Sequence, residues 1–199
     1  MDKIIILGNG GHARSIVDTI ERLGHYEIVG YVVNGESCKQ DDYPIIGKDK
    51  DLEKIYQSGI RYAAIGIGYL GKGFVRNNLY NHLKRIGYSL PVICDSTAII
   101  SNKVIIEEGT FIGKRSIVNA GAHIGKTCII NTGAIVEHDV QIGGFSHVAV
   151  GAVLCGGVQI GENTLIGANA TVIQERKIGD RCIVGAGEVV RKNIFNGED

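Results

Sequence analysis

The sequence predicts an α/β domain followed by an all-β domain, a parallel β-helix, and two observations support this fold class. All eight tyrosines lie at or before Tyr88, whereas the chain from about residue 98 onward is dominated by Ile, Val, Gly and Ala. In this second part an aliphatic residue recurs at every sixth position from Ile100 to Val190, sixteen times without a break. We therefore predict two domains with different packing, at residues 1–90 and 91–199.

The first domain alternates short apolar runs with segments of helical periodicity. The aliphatic runs are typical of buried strands, and the longer segments between them are typical of amphipathic helices. The predicted elements, in chain order, are 3–7, 12–23, 27–33, 62–67 and 74–86. Strands that alternate with helices favour a small Rossmann-like β-α-β domain. Pro91 then marks an extended linker into the second domain.

The period of six determines the architecture of the second domain. The residue two positions before each aliphatic residue is mostly small, so both positions are expected to point inward. Each hexapeptide supplies one short strand and one corner, and three hexapeptides form a coil of 18 residues, so fifteen hexapeptides predict a prism of five coils. Gly or Asn often follows the aliphatic residue, which predicts positive φ angles there. Arg176 and Glu188 replace small inward residues and predict a loosened or solvent-facing last coil.

The repeat also places the histidines, because residues 18 apart in number stack on the same face. His138 lies two residues after Val136, at a corner, and must point outward. His147 precedes Val148 at an outward-facing strand position, half a coil away from His138. The two histidines of one subunit therefore face opposite sides, and a shared site requires two subunits, as a cyclic trimer provides. Gly156 stacks one coil beyond His138, which places its amide at the same corner.

The segment 135–152 resembles the catalytic stretch of the NeuD/PglD sugar acetyltransferases, a branch of the hexapeptide-repeat acyltransferases. This resemblance implies that the prism is a left-handed β-helix. It implies that His138 is the general base, that Asp139 raises its basicity, and that the Gly156 amide is an oxyanion donor. It further implies that three residues contact acetyl-CoA: His147, Ala168 and Ala186.

The implied chemistry is direct attack on a thioester. An amine or hydroxyl must lose a proton as it attacks, and a histidine near its normal pKa suits that task at neutral pH. Backbone N–H groups can stabilise the oxyanion that develops. Cys155 is the one rival nucleophile, although the repeat otherwise uses cysteine as a small residue.

A glycine loop follows the first predicted strand. Residues 8–13 fit the Gly-x-Gly-x-x-Gly/Ala pattern between a strand and a helix, where a loop can cradle phosphates. The second strand ends at Val33 and Asn34 instead of an acidic residue, so NAD is not expected. The resemblance implies instead that this domain binds a nucleotide sugar, with UDP as the nucleotide. The implied contacts are Gly10, Gly11, His12 and Gly66.

Composition excludes several other classes of protein. Lys plus Arg and Asp plus Glu number 21 each, so no charge field attracts nucleic acid or an anionic membrane. The aliphatic run Ile4–Leu7 is too short for a signal peptide or a membrane span, so we expect a cytoplasmic protein. The odd number of cysteines and the lack of metal-ligand spacing predict reduced thiols and no metal. The cysteines are at positions 38, 94, 128, 155 and 182.

The leading hypothesis is a homotrimeric enzyme that transfers acetyl from acetyl-CoA to the amino group of a UDP-linked 4-amino-4,6-dideoxy sugar. O-acetylation of a sialic-acid-like sugar is the first alternative, because the same base and oxyanion donor serve a hydroxyl. A non-catalytic nucleotide-sugar-binding protein is the second. A zinc hydratase of the γ-carbonic anhydrase type shares the prism and the trimer, but the sequence has no His-x4-His pair for its metal.

Overall fold

A computed structural model describes residues 1–35 and 43–195 of the chain, so Cys38 lies outside the described residues. The chain divides into two compact units. The first contains Met1–Gly68 and Phe74–Ile93, and the second contains Cys94–Asp199 together with the short segment Tyr69–Gly73. No helix in the described ranges is long and apolar enough to cross a membrane.

In the described ranges the first unit holds a four-stranded parallel sheet in the order β3-β2-β1-β4, three α-helices and a short 3-10 helix at Asp49–Asp51. Its elements are β1 (Asp2–Leu7), α1 (Gly11–Leu23), β2 (Tyr26–Val32), β3 (Ile45–Gly47), α2 (Leu52–Gln57), β4 (Tyr62–Ile65) and α3 (Val75–Ile86). The predicted strands and helices are confirmed. β3 and α2 escaped prediction because three and six residues are too few to show a periodicity.

The core of the first unit lies between the sheet and the helices. Ile5 and Leu7 of β1 pack in one buried cluster with Leu52, Leu83 and Tyr88. The Tyr88 hydroxyl donates a hydrogen bond of 2.9 Å to the Leu52 carbonyl, so this buried polar group is satisfied. Burial raises the pKa of Tyr88 to about 12.

The second unit is a prism of two-residue strands in three parallel sheets. Face 1 consists of β5 (Ile93–Cys94), β8 (Phe111–Ile112), β11 (Ile129–Ile130), β14 (His147–Val148), β17 (Leu165–Ile166) and β20 (Ile183–Val184). Face 2 consists of β6 (Ile99–Ile100), β9 (Ile117–Val118), β12 (Ile135–Val136), β15 (Val153–Leu154), β18 (Thr171–Val172) and β21 (Val189–Val190). Face 3 consists of β7 (Ile105–Ile106), β10 (His123–Ile124), β13 (Gln141–Ile142), β16 (Gln159–Ile160) and β19 (Lys177–Ile178).

Each strand pairs in register with the strand 18 residues away, as the repeat predicts. Ile135 pairs with Val153, and His147 pairs with Leu165. We call the corner between faces 1 and 2 the first edge, that between faces 2 and 3 the second edge, and that between faces 3 and 1 the third edge. The three parallel sheets are typical of a left-handed β-helix. β5 was interpreted as linker because Cys94 occupies the repeat position where an aliphatic residue is expected.

The prediction that positive φ angles directly follow the aliphatic residue was wrong. Positive φ angles occur instead three residues after the aliphatic residue, as at Gly121 (φ 76°), Asp139 (φ 60°) and Phe145 (φ 63°). The glycine that directly follows the aliphatic residue has a different cause. A Cβ atom on Gly143 would lie 2.6 Å from the carbonyl carbon of Gly161, one coil further on. Close approach of successive coils therefore excludes a side chain there.

Small polar residues inside the prism are satisfied by the backbone of the next coil. The Thr164 hydroxyl donates to the Gly179 carbonyl (2.7 Å) and accepts from the Cys182 amide (3.2 Å). Ser146 makes the same pair of bonds one coil earlier. Glu188 and Arg176, which replace small residues of the repeat, bond to the backbone close to them in sequence. Glu188 is exposed and accepts from the Gly185 amide, and the Arg176 Nε donates to the Gln174 carbonyl.

Candidate active site

The second edge of the prism holds a histidine and an aspartate in contact. His138 lies two residues after β12, and 64% of its side chain is exposed. Its Nδ1 lies 3.0 Å from Oδ2 of Asp139. The hydrogen bond that His138 donates to Asp139 raises the pKa of His138, burial opposes this effect, and the negative charges of Asp139 and Glu137 add to it. In the neutral ring the proton therefore resides on Nδ1, and Nε2 presents a lone pair.

Gly156 provides the space that the imidazole occupies. A Cβ atom on Gly156 would lie 2.5 Å from His138 Nε2 and 2.6 Å from Cε1. The two residues are one coil apart, and the Gly157 amide donates to the His138 carbonyl at 2.9 Å. Within residues 1–35 and 43–195 the Gly156 N–H donates to no acceptor. The stack predicted from the 18-residue step thus brings an available backbone donor beside a basic ring nitrogen.

Two neighbouring residues hold this corner in place. The Glu137 carboxylate accepts from the His138 amide (3.2 Å) and from the Asn119 side-chain amide (3.0 Å) one coil earlier. Under Asp139 lies Gly121, where a Cβ atom would come within 2.4 Å of Asp139 Oδ1. Sequence analysis did not single out Asn119 or Glu137. The same 18-residue step connects them and would have identified the pair.

His147 occupies the predicted strand position on face 1 but is only 8% exposed. The segment Tyr69–Gly73 covers it. The Tyr69 carbonyl lies 2.7 Å from His147 Nδ1, and the Asn131 Nδ2 lies 3.1 Å from His147 Nε2. Tyr69 could not be identified from the sequence, because its segment is remote from the repeats and has no periodicity of its own.

Comparison with known proteins connects this geometry to a family. Residues 3–83 match the model of the PglD N-terminal domain, residues 103–138 match the hexapeptide repeat of succinyl-transferase, and residues 157–192 match the bacterial transferase hexapeptide. A mutant of perosamine N-acetyltransferase from Caulobacter crescentus, solved with CoA and GDP-perosamine, has a TM-score of 0.92 and 30% identity, over 98% of this chain and 91% of that chain. The chain belongs to this family of hexapeptide-repeat sugar acetyltransferases.

Other solved structures extend the comparison. The acetyltransferase domain of PglB from Neisseria gonorrhoeae has a TM-score of 0.92 and 29% identity over 99% of this chain and 95% of that chain. Its complex with acetyl coenzyme A has a TM-score of 0.90 at 28% identity, over 98% of this chain and 93% of that chain. WeeI from Acinetobacter baumannii AYE, at 18% identity and a TM-score of 0.66 over 99% and 95% of the two chains, shows the shared fold alone. No curated protein sequence matches the chain.

In this acetyltransferase, Ala168 and Ala186 stack one coil apart on the first edge. The Gly187 amide donates to the Ala168 carbonyl at 2.8 Å, and the Asn169 amide donates to the Val150 carbonyl one coil below. The first-edge residues of successive coils thus form a column that runs from Thr132 through Val150 to the two alanines. Cys155 lies at the second edge, partly exposed, and it is a free thiol like the other described cysteines.

A groove of about 760 Å³ follows face 3 of the acetyltransferase. Its lining includes His123, Gln141, Gln159, Lys177 and Phe195, and it does not include His138. His123 Nε2 lies 2.9 Å from Glu107 Oε1, and both side chains are about 40% exposed. The groove in a single chain therefore does not enclose the candidate base.

The glycine loop of the first unit lies as predicted between β1 and α1. Gly10 caps the helix and Gly11 is its first residue, and a Cβ atom on either would meet open space. His12 follows in the first turn and is half-buried. Gly66 has a packing role, since a Cβ atom there would lie 2.7 Å from that of Ala13.

Asn34 stands just beyond the end of β2, in the same unit. Its Oδ1 accepts from the Asp49 amide at 3.0 Å, and its Nδ2 donates to Asp49 Oδ2 at 2.5 Å. Both ends of this side-chain amide are therefore engaged with Asp49.

Proposed function

We propose that this acetyltransferase transfers the acetyl group of acetyl-CoA to the amino group of a nucleotide-linked amino sugar, specifically a 4-amino-4,6-dideoxy sugar. One observation supports this function above the others. The Nε2 of His138 projects over Gly156, whose amide has no acceptor among the residues that the structure describes, while Asp139 holds Nδ1. A general base and an oxyanion donor at one corner are what acyl transfer from a thioester requires.

His138 moves the proton in the proposed reaction. Its Nε2 takes the proton from the amine nitrogen as that nitrogen forms its bond to the thioester carbonyl carbon. The Gly156 N–H donates to the carbonyl oxygen while negative charge resides there. When the C–S bond breaks, His138 returns the proton to the departing thiolate, so no acyl-enzyme forms. General base catalysis of this kind is worth about 10²- to 10⁴-fold in rate.

The proposed site is completed by a second copy of the chain. His138 lies on the second edge, whereas Ala168 lies on the first edge and His147 on face 1. Two different edges of one prism cannot close on a single thioester. A homotrimer that apposes the second edge of one subunit to the first edge of the next would bring the three residues together.

Face 2, which joins those two edges, has the surface that such a trimer needs. Its outward column is aliphatic over most of its height, at Ile99, Ile117, Ile135, Val153 and Val189. Ile99 is 64% exposed and Val189 is 48% exposed. The column is interrupted only by Thr171 among the described strands of this face, and partly exposed apolar surface of this kind is typical of a protein interface. If three copies place face 2 toward a threefold axis, the second edge of each subunit lies next to the first edge of its neighbour.

The trimer is tested by placing a charge on face 2. Ile135→Asp should convert the trimer to monomers and remove activity, because a carboxylate cannot be buried in an apolar interface without a partner. Gln141→Asp, on face 3, is the matched control and should leave the assembly and the activity unchanged. Sedimentation velocity measures the assembly, and thiol release measures the turnover. A monomeric wild-type protein with full activity would contradict the two-subunit site.

We place the nucleotide sugar at the glycine loop of the first unit. Gly10 and Gly11 leave the start of the 13-residue helix α1 uncovered, and its N–H groups and dipole suit a diphosphate. The proposed contacts are Gly10, Gly11 and His12, with Gly66 kept small by its packing against Ala13. The resemblance noted above favours UDP, whereas the relative from Caulobacter crescentus was solved with GDP-perosamine.

A substrate panel tests the function and identifies the nucleotide. UDP- and GDP-linked 4-amino sugars, their 4-hydroxyl counterparts, free sialic acids and simple amino acids are each supplied with acetyl-CoA, and free thiol is measured. We expect turnover with a nucleotide-linked amino sugar and none with the amino acids. Preference for a hydroxyl counterpart or a sialic acid would replace N-acetylation by O-acetylation. The absence of turnover with every sugar would contradict the proposed function.

A further inference from the structure

A buried arginine lies at the carboxyl end of β4 in the first unit. Arg76 stands in the first turn of α3, and only 3% of it is exposed. Its Nη1 donates to the Ile65 carbonyl at 3.3 Å and also to the Ile67 carbonyl. A positive charge is unfavourable in a protein interior and at the start of a helix, where the helix dipole is itself positive. The two carbonyls offset this cost, and the guanidinium fixes the orientation of both peptide groups.

The bonds to Arg76 determine where the N–H groups of this segment point. In trans peptide groups such as these the C=O and the N–H point in opposite directions. The first of the two peptide groups shows this, because its carbonyl faces Arg76 while the Gly66 N–H donates to the Leu7 carbonyl of β1 at 2.8 Å. The Ile67 carbonyl reaches the same Nη1 atom, so the Gly68 N–H points to the β1 side as well, one position beyond Leu7.

Strand β1 does not continue far enough to supply an acceptor for Gly68. It ends at Leu7, and Gly8 (φ 91°) turns the chain into the glycine loop. Among the described residues the Gly68 N–H donates to no acceptor, and Gly68 is exposed. A Cβ atom on Gly68 would lie 3.8 Å from that of His12, in the first turn of α1. An open backbone donor therefore lies beside the glycine loop, at the carboxyl edge of the sheet, where open α/β sheets bind their ligands.

We propose that the Gly68 N–H donates to a phosphate oxygen of the bound nucleotide sugar, and that Arg76 is the residue that positions this N–H. This inference rests on the proposed nucleotide-sugar site at the glycine loop. The adjacent start of α1 has no side-chain cap and no acidic residue in its first turn, so nothing there competes with an anion. A diphosphate has oxygens on two phosphorus atoms and can accept from the helix start and from Gly68 at once.

Arg76 also strengthens the donor that it positions. Ile67 and Gly68 share one peptide group, and a charged donor at the carbonyl end polarises the N–H at the other end. The segment is held from the loop side too, because a Cβ atom on Gly8 would lie 2.8 Å from Ile67 Cγ1. Arg76 therefore acts on the ligand through the Gly68 amide, without touching it. Its effect should be confined to ligands that carry phosphate.

The first test compares ligands that differ only in the diphosphate. UDP and GDP are measured by calorimetry, and the nucleosides uridine and guanosine by NMR titration. Gly68→Pro removes the N–H, whereas Gly68→Ala keeps it and adds a methyl group at van der Waals distance from His12. We expect Gly68→Pro to bind the preferred nucleotide about tenfold more weakly than Gly68→Ala does, with nucleoside affinities of the two variants within about threefold. Equal nucleotide affinity of the two variants, or an equal loss for nucleotide and nucleoside, would overturn the inference.

The second test separates positioning by Arg76 from a merely structural role. Arg76→Gln removes the charge and should weaken nucleotide binding about tenfold and nucleoside binding less than about threefold. Arg76→Lys restores the charge and should bind the nucleotide at least about threefold more tightly than Arg76→Gln. A structural role would instead lower the affinities for nucleotide and nucleoside equally, and that result would remove Arg76 from the proposal.

Glycine-selective nitrogen-15 labelling supplies a readout on the wild type, which decides even if a variant does not fold. The Gly68 amide proton should shift downfield when UDP, GDP or inorganic pyrophosphate binds, because a hydrogen bond to a charged oxygen forms there. An unmoved Gly68 signal at saturating nucleotide would overturn the inference. Failure of the wild type to bind UDP, GDP and pyrophosphate alike would instead contradict the proposed nucleotide-sugar site.

Discussion

His138 and His147 lie nine residues apart in the same segment, yet their surroundings are opposite. His138 exposes 64% of its side chain and has a protein partner at Nδ1, with Nε2 left over Gly156. His147 is 8% exposed and has partners at both ring nitrogens, one of them from the segment Tyr69–Gly73. An exposed ring with a carboxylate behind it can gain and release a proton. A buried ring with partners at both nitrogens is suited to hold a hydrogen-bonding geometry.

The comparison separates the work of acyl transfer between two kinds of position. In the proposed reaction the second edge carries the group that changes protonation, because His138 is exposed and the following Asp139 adopts a positive φ angle. Face 1 carries His147, a proposed ligand contact, whose strand position is covered and whose ring nitrogens both have partners. The predictions below test this distinction, and they begin with the largest expected effect.

Removal of the His138 imidazole should abolish turnover. His138→Ala should lower kcat by about 10²- to 10⁴-fold, because nothing else at the second edge replaces the base. Since the side chain is exposed, assembly and thermal stability should be unchanged, as checked by sedimentation velocity and thermal melts. Retention of more than about a tenth of kcat would contradict the role of the base.

A methyl group on Gly156 should displace the imidazole without removing it. Gly156→Ala would place Cβ 2.5 Å from His138 Nε2, so the ring must move away from the amide, and we expect kcat to fall about 10- to 100-fold. Gly144→Ala is the matched control at the same position of a hexapeptide on the third edge, where the nearest atom is the flexible Lys126 Cγ at 3.2 Å. Equal kinetics for the two variants would show that the Gly156 stack is unimportant.

Loss of the Asp139 charge should change the pH dependence. Asp139 raises the pKa of His138, chiefly through its hydrogen bond, and a base works only when it is unprotonated. The kcat/KM of the wild type should therefore fall as the pH drops through that raised pKa. Asp139→Asn lowers the pKa, so the fall should move to lower pH, and the plateau should decrease about tenfold as the base weakens and loses its support. If kcat/KM of Asp139→Asn falls at the same pH as that of the wild type, Asp139 does not support the base.

On the His147 side the expected effect is on stability. Tyr69→Phe removes the hydroxyl that donates to the Asn163 carbonyl and keeps the backbone carbonyl that faces His147. Loss of one buried hydrogen bond should lower the free energy of unfolding by about 1 kcal/mol, with kcat changed less than about twofold. Denaturant unfolding measures the first and thiol release the second. A large loss of kcat at unchanged stability would give Tyr69 a direct role in the reaction.

The smallest effect is expected at His123, which, like His147, precedes an aliphatic repeat position. It pairs with Glu107 on face 3, but both side chains are about 40% exposed, and such surface pairs contribute little. His123→Gln should leave kcat/KM within about twofold and the free energy of unfolding within about 0.5 kcal/mol. A larger loss of activity would show that face 3 contributes to the site and that exposure alone does not identify the base.

The repeat made the neighbours of His138 predictable from the sequence, including the Asn119–Glu137 pair that sequence analysis did not single out, whereas residues outside the repeat could not be placed. The stack of His138 and Gly156 was predictable because in-register parallel pairing converts a difference of 18 in residue number into adjacency. Tyr69 was not predictable, because a non-repeating segment has no register from which its partner can be calculated. The φ angles after the aliphatic residues were predicted wrongly because a glycine in a repeat has two possible causes, a positive φ angle or a close neighbour. The sequence pattern is the same for both, and only the coordinates distinguish them.

The 18-residue register also restricts how this protein can change in length. A six-residue deletion between His138 and Gly156 would rotate everything beyond it by one face and would separate the ring from its amide. Insertions within the prism are therefore compatible with catalysis only as loops that leave and return at one corner, or as a full additional coil above or below the reacting groups. In families built on this plan, length should vary in coils and loops, while the spacing of 18 between the proposed base and the proposed oxyanion donor stays constant.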